Sequence, residues 1–412
     1  MKRKYALIFF VLSLLLTVVC MGAYREDRAV IKLVDGNVSV VFCDHHIAPT
    51  DTLVASEIHA RKINEPYRVK IGVVSDMVAC GHGYRTALLY CFPTLKDAVD
   101  AFMKKAYAEA VDAQISFRPD EKEIFEITSE QPGHKVNEAK LYRDIFYGLR
   151  SGREIVVTAQ RLTIFPTVRA EMLKEETHLR ASYCTDYSSS SPSRKHNINL
   201  ALSKINGTVL EKSEQFSFNS TVGRRTESNG FLPAKIIVGG KYEEGYGGGV
   251  CQASTTLYNA VLLSGLSVTA AQRHSLKVAY ELPSFDAMVN GSYSDLRFVN
   301  DSTGKIYIRA CGDGKQVRVE IYGKRLAYEI KRRSVVVAEG ELPGYEEIED
   351  AECKYFSEQD AVGSRLIVSY PKASLKSEGY LDYYKNGVLY KSVLLRTDRY
   401  AETVGVIAIK TE

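Results

Sequence analysis

The stretch GGGVCQASTTLYNAVLLSGLSVTAAQRHS, residues Gly247 to Ser275, decides how this chain is read. After Val250 the apolar residues Leu257, Tyr258, Val261 and Leu262 fall at helical spacing, and Gly265 follows the last periodic turn as a helix stop. Cys251 therefore lies in the first turn of a helix. Free backbone N–H groups and the helix dipole favour an anion there, so the thiol is expected to ionise more readily than a free one. Gly247, Gly248 and Gly249 have no side chains, which predicts that a ligand backbone approaches the sulfur across them.

Beyond Gly265 the period changes. Val268, Ala270, Gln272, His274, Leu276, Val278 and Tyr280 share one parity, and the spacing predicts a half-buried strand with His274 on its inward face. A cysteine opening a helix and a histidine facing the core form the layout of thiol enzymes in which the imidazole takes the thiol proton. A third group should orient the imidazole. Asp286 and Asp295 both stand on the following extended segments, and Asp286 is preferred because it opens the apolar run Ala287, Met288, Val289. Gln252 and nearby backbone N–H groups are the candidates for stabilising an oxyanion. The competing reading makes Cys251 a small buried side chain and His274 a satisfied core residue. Ser254, Thr255 and Thr256, in mid-helix, are expected to bond back to carbonyls and not to act as nucleophiles.

Working outward, Ser188–Ser193 is a low-complexity loop, and Asn197–Ile205 reads as a helix entering the core domain. Phe216 and Phe218 alternate inward on a strand, leaving Ser217 and Asn219 on its other side. Arg224 and Arg225 follow, and either guanidinium is suited to a carboxylate. Arg225 and Asn219 join the three glycines as candidate substrate contacts. Strands are expected at Ala234–Val238, Leu296–Val299 and Ile306–Ala310.

From about Cys184 to about Ile308 the sequence resembles the VanW family, named from vancomycin-resistance gene clusters. The likeness is carried by Asn197-Ile198, Ile205-Asn206-Gly207-Thr208-Val209, Phe216-Ser217-Phe218-Asn219, Gly223, Gly230, the block from Gly247 through Gln252, Ser254 through Ala260, and His274-Ser275. Where the family pattern has Pro-Gly-Glu, this chain has Lys212-Ser213-Glu214-Gln215. The resemblance implies a cell-envelope role and supplies no reaction. The order of elements is similar to transglutaminase-like and papain-like folds, a helix on an antiparallel sheet.

With 412 residues, two to four domains are expected, of mixed α+β class. A net charge of +4 and the lack of any nucleic-acid-reading motif argue against nucleic acid as a partner. The eight cysteines are scattered without a CxxC, so no dense disulfide frame is predicted; Cys80 and Cys91 are the nearest candidates for a pair. Cys43-Asp44-His45-His46 and Cys80-Gly81-His82 have no metal-site spacing, and neither a metal nor a cofactor is implied.

Lys2-Arg3-Lys4 before the uncharged stretch Tyr5–Ala23 reads as an export signal, favoured as a retained membrane anchor over a cleaved peptide, which places everything after Ala23 outside the cell. Residues 24–112 read as an α+β region with strands at Val30–Leu33, Val38–Phe42, Tyr67–Val74 and Ala87–Phe92, then a helix capped at Thr94. Residues 113–179 resemble the peptidoglycan-binding domain that often precedes VanW domains, through strand order and Gly133. The core domain is placed at 180–322. Residues 323–412 read as a small all-β module with a hairpin turn at Asn386-Gly387, similar to the glycine-rich wall-associated module that often follows VanW domains. The expected function is engagement of peptidoglycan or its peptide stem, with Cys251 as nucleophile. A non-catalytic wall binder and a structural scaffold are the other classes.

Overall fold

The computed structural model describes residues 28–44, 65–238, 241–291, 293–351, 353–357 and 359–411, and the chain is a mixed α+β protein. The export segment 1–23 and the pair His45 and His46 lie outside the described residues. Among the described residues no helix is long and apolar enough to cross a membrane, and no three metal-ligating side chains cluster. The chain divides into two compact units, Met1–Ala113 with Ser129–Arg169, and Gln114–Thr128 with Ala170–Glu412.

The first unit begins with strands β1 (Val30–Asp35) and β2 (Val38–Cys43), an antiparallel pair. Helices α1 (Tyr67–Ala79), α2 (Tyr84–Cys91) and α3 (Leu95–Lys105) follow. The first two replace the strands expected at Tyr67–Val74 and Ala87–Phe92. β-branched Val69, Ile71, Val73 and Val74 favour a strand locally, but Tyr67, Lys70 and Val74 are the buried residues, and that spacing is helical. Lys70 is buried because Asp44 accepts from its Nζ at 2.6 Å.

The chain then makes the hairpin β3 (Gln114–Phe117) and β4 (Phe125–Thr128), which belongs to the second unit, and returns to the first through β5 (Gly133–Val136), α4 (Glu138–Ser151), β6 (Glu154–Thr158) and β7 (Arg161–Ile164). Asn137 caps α4 by accepting from the Lys140 N–H at 3.1 Å. Strand β6 joins β1 in parallel, giving the sheet order β2-β1-β6, over which Ile31, Leu33, Phe92, Phe102, Ile145 and Leu149 are fully buried. Cys80 is exposed and Cys91 buried, and both are free, so the pair expected from proximity in sequence is not formed.

The second unit carries α5 (Ala170–Lys174), β8 (His178–Asp186), α6 (Pro192–Ile205), β9 (Thr208–Leu210), β10 (Gln215–Ser217), α7 (Phe218–Val222), β11 (Pro233–Val238), β12 (Lys241–Tyr246), α8 (Val250–Leu263), β13 (Ser267–Ala270), β14 (Arg297–Val299), β15 (Ile306–Gly312) and β16 (Gln316–Gly323). An antiparallel sheet of order β8-β16-β15-β9 supports α8, which packs across β8 and β16 with α6 alongside. The small sheet β10-β14-β13 closes one end. Helix α8 is buried all round: Gln252, Ser254, Thr255, Thr256 and Asn259 are at most 1% exposed, so each polar group must find a partner inside the protein.

The remaining strands are β17 (Glu329–Glu339), β18 (Tyr345–Glu349), β19 (Arg365–Ser369), β20 (Leu375–Lys385), β21 (Val388–Tyr400) and β22 (Gly405–Ile409), in sheets ordered β17-β20-β21 and β18-β22-β19. Asn386 and Gly387 turn the β20–β21 hairpin with φ of 52° and 79°, the left-handed pair such a tight turn requires. Both residues 323–412, read from sequence as a separate module, and the 114–128 hairpin, read as part of 113–179, belong to this unit. Ile330 and Leu381 share a hydrophobic core with Leu257 and Phe285, so β17 and β20 are continuous with the domain before residue 323. Phe117 and Phe125 stack at 5.1 Å and meet Tyr307 edge-on at 5.3 and 5.1 Å, which holds the 114–128 hairpin to the second unit and not to residues 129–169.

Candidate functional site

The entrance to α8 is built by close approach. Gly249 caps it in the left-handed region at φ 104°, the Val250 N–H donates to the Gly247 carbonyl at 3.1 Å, and the Gln252 N–H to the Gly249 carbonyl at 2.8 Å. A Cβ on Gly248 would stand 2.7 Å from the Lys235 carbonyl oxygen, and one on Gly247 would stand 2.7 Å from the Arg225 side chain. The glycines are therefore pressed between protein elements, with Gly247 and Gly248 buried, and the open approach across them expected from sequence is not formed. What they accomplish is to set Cys251 at the second helical position, partly exposed at the head of a buried helix.

The strand expected through Tyr280 ends at Ala270; beyond it the main chain makes one isolated bridge, Gln272 to Met288. Burial still alternates, with His274, Leu276 and Val278 inside and Ser275, Lys277 and Ala279 outside. The ladder is missing because a carboxylate takes its place: Oδ2 of Asp286 accepts from the His274 main-chain N–H at 2.6 Å and from its Nδ1 at 2.7 Å. That leaves Nε2 for the thiol, and the imidazole lies within hydrogen-bonding reach of Cys251 Sγ. Sγ also lies 3.3 Å from the Val289 carbonyl oxygen.

Asp286 is pinned from two sides. On one side the helix hydroxyls hold the next residue: Thr255 Oγ1 accepts from the Ala287 N–H at 3.0 Å, and Ser254 Oγ donates to the Ala287 carbonyl. On the other, strand β21 presents Arg396, Asp398 and Tyr400 at period two on one face. The Tyr400 hydroxyl donates to Asp286 Oδ1 at 2.6 Å, and Arg396 Nη2 donates to Oδ1 at 3.0 Å and to the Asp286 carbonyl at 2.7 Å. A second buried cluster anchors the same segment further along, where Arg332 Nη1 donates to Glu281 Oε1 at 3.0 Å and Asn259 of α8 donates to Glu281 Oε2 at 3.0 Å. Arg396 and Tyr400 were missed from sequence: the alternation in RTDRY is compatible with a strand but names no partner for its polar face.

The electrostatics follow from this packing. Burial opposes a charge on Cys251, but the imidazole of His274 and the Arg225 guanidinium outweigh it, and the thiol is lowered. Burial likewise opposes the imidazolium, yet the hydrogen bonds to Asp286 and Cys251 raise His274 to about 9. Asp286 is held below the usual carboxylate range, burial being outweighed by His274, Tyr400 and Arg396. Both shifts favour the thiolate–imidazolium form of the pair over the neutral one. Tyr280, beside them, is pushed well above its ordinary value by burial and by the charge on Cys251, so its phenol stays neutral.

The other expected site residues divide. Arg225 is half-buried near the sulfur, its guanidinium lowered by burial, and its Nη2 donates to Asn219 Oδ1 at 2.6 Å. Asn219 is itself held, its Nδ2 donating to the Gly291 and Ser294 carbonyls at 2.8 Å each. Asp295 does not serve the imidazole: it accepts from Ser217 Oγ at 2.7 Å and the Asn219 N–H at 2.8 Å and pairs with Arg297 at 2.8 Å, which fixes the loop carrying Asn219. Gln252 is committed elsewhere. Its Nε2 donates to Thr185 Oγ1 at 3.0 Å and the Asp186 carbonyl at 2.7 Å, and its Oε1 accepts from Arg194 at 2.8 Å, leaving no amide N–H for an oxyanion. A cleft of about 1820 Å³ begins one residue beyond His274, along Ser275–Pro283, and runs under the β18-β22-β19 sheet; Cys251 is not in its lining.

Residues 193–322 match the family model described as VanW like protein. The chain carries a VanW-like domain. That domain contains the whole of the Cys251, His274 and Asp286 arrangement. Among curated relatives, YoaR of Bacillus subtilis (strain 168) is 38% identical over 178 residues, covering 43% of this chain and 58% of that protein. The vancomycin B-type resistance protein VanW of Enterococcus faecalis (strain ATCC 700802 / V583) is 24% identical over 134 residues, covering 31% of this chain and 49% of that protein. The chain thus spans 58% and 49% of the length of these two relatives. Two solved G5-domain structures are also similar: that of HP0197, 18% identical over 20% of this chain and 96% of that one with a TM-score of 0.11, and that of IgA1 protease, 15% identical over 21% and 93% with a TM-score of 0.13.

Proposed function

We propose that the VanW-like domain performs thiol-dependent acyl chemistry on an amide bond of a carboxylate-bearing peptide, the peptide stem of peptidoglycan being the substrate class, on the outer side of the cell membrane. One observation carries the reading: a partly exposed cysteine at a helix head, with the imidazole in reach of its sulfur and a buried carboxylate on the far nitrogen. In this scheme the Cys251 thiolate attacks the amide carbonyl carbon. The Cys251 N–H, which unlike those of Val250 and Gln252 is not taken up by the glycine carbonyls, faces the developing oxyanion. The imidazolium of His274 gives its Nε2 proton to the departing amine as the C–N bond breaks. Water or an incoming amine then resolves the thioester, returning a proton to His274. Arg225, beside the sulfur and already desolvated, is the group for a substrate carboxylate.

The test is incubation of wild-type and Cys251→Ala protein with muropeptides, read by mass spectrometry. Wild type should give hydrolysed or transferred products and a mass adduct on Cys251, and the variant neither. Identical, unchanged muropeptides in both would overturn the proposal and leave a non-catalytic wall-binding or scaffolding protein.

A further inference from the structure

Resting on the thiol reading above, we infer that the C-terminal β-strands are part of the machinery, with Arg396 and Tyr400 as positioning residues that keep Asp286 fit to hold the imidazole. The Asp286 carboxylate is 1% exposed, and a carboxylate so buried is tolerated only when its lone pairs are filled. The filling is divided by oxygen. Oδ2 takes both bonds from His274, at 2.6 and 2.7 Å, and Oδ1 takes both from β21, from Tyr400 at 2.6 Å and Arg396 at 3.0 Å. Two of the four hydrogen bonds to this carboxylate therefore come from residues more than a hundred positions later in the chain.

The same strands grip the segment on either side of the carboxylate. Ser284 donates its N–H to the Tyr400 oxygen at 2.7 Å and shares a 2.8 Å hydroxyl bond with Ser377 of β20. The Ala401 N–H donates to the Ser275 carbonyl, next to His274, at 2.9 Å. A Cβ on Gly379 would come within 3.0 Å of the Ser284 Cβ and carbonyl oxygen, so β20 lies against the loop as closely as backbone allows. The charged and titratable groups around the imidazole and its carboxylate are Cys251 and Tyr258 of α8, Arg225, Tyr280, and Arg396, Asp398 and Tyr400 of β21, with Arg273 at 4.0 Å from Asp398. Of these, Arg396 and Tyr400 are the donors to Oδ1.

Removing either donor leaves the carboxylate less able to stay charged, so the imidazolium weakens and the thiol titrates higher. The experiment measures the pH dependence of Cys251 alkylation by iodoacetamide in the full chain, resolved by peptide mass spectrometry from the exposed Cys80, Cys311 and Cys353. It compares wild type, Tyr400→Phe, Arg396→Ala, Arg396→Lys and His274→Ala. Tyr400→Phe and Arg396→Ala should move the alkylation midpoint up by about one pH unit, about 1.4 kcal/mol. Arg396→Lys should restore part of the shift, with thermal unfolding confirming that each variant is folded. An unmoved midpoint in folded Tyr400→Phe overturns the inference while leaving the thiol reading intact. A wild-type midpoint in the ordinary thiol range and indifferent to His274→Ala overturns both. No substrate is needed, so the result stands apart from the muropeptide assay.

Discussion

Asp286 and Asp295 are nine positions apart on similar irregular backbone, and either is reachable from His274 on sequence grounds, yet the fold gives them different work. Asp286 is buried at 1% exposure and spends both oxygens on His274 and β21. Asp295 lies at a half-open edge, its carboxylate lowered despite burial by Ser217, Arg297 and the Asn219 N–H. One carboxylate sets the charge of an imidazole; the other fixes the loop that orients Asn219 and, through it, Arg225. What separates them is the layer each faces: Asp286 sits between α8 and β21, Asp295 against β10 and α7.

The largest effect should come from exchanging the two. Asp286→Asn removes the charge that holds the imidazolium, and muropeptide turnover should fall by on the order of 10²–10⁴-fold. Asp295→Asn should leave the chemical step alone and raise KM about tenfold, because the loop under Arg225 loosens. Steady-state kinetics on the pair checks this, and a large kcat loss in Asp295→Asn with little in Asp286→Asn would reverse the assignment.

The pH profile sharpens the same contrast. Thiol lowered and imidazole raised to about 9 leave a window in which both charges coexist. Turnover should climb as the thiol ionises on the acid side and decline above about pH 9, where His274 loses the proton it must donate. The stability consequence has a definite sign. His274 titrates higher folded than its ordinary 6.5, so its contribution is complete below that value and is lost as pH rises through about 9. Asp295→Asn should keep both limbs, and Asp286→Asn should bring the alkaline limb down toward the ordinary imidazole range. Chemical denaturation between pH 6 and 10 and kcat/KM over the same range, about four units, test it.

Part of this was legible in the sequence. The helix and its leading cysteine were, because a 3.6-residue period and a terminating glycine are local properties. His274's burial was legible from parity, but the absence of a strand under it was not, since alternation says which side a residue faces and nothing of what its N–H bonds to. Asp286 was preferred for its apolar neighbours, whereas what holds the adjacent Ala287 is a pair of hydroxyls, Ser254 and Thr255, which periodicity reads only as helix interior. The glycines were read as room for a ligand and are room for Arg225 and β11. Arg396 and Tyr400 were out of reach of any local pattern, since only the tertiary fold brings β21 to the carboxylate.

Gln252 offers the smallest and sharpest test, because it adjoins Cys251 in sequence but faces away from the chemistry. Its amide joins α8 to β8 through Thr185 and Asp186 and to α6 through Arg194. Gln252→Ala breaks those three bonds in a site 1% exposed, and should cost roughly 1–3 kcal/mol of stability by thermal or denaturant unfolding. Turnover in the folded variant should stay within about threefold of wild type, since an oxyanion donor removed from a thiol or serine enzyme costs on the order of 10²–10³-fold in kcat. A loss of that size with unfolding unchanged would return the side chain to the reaction and would require its amide to leave Asp186 when substrate binds. A loss of stability with turnover preserved leaves stabilisation of the oxyanion to the main chain at the head of α8.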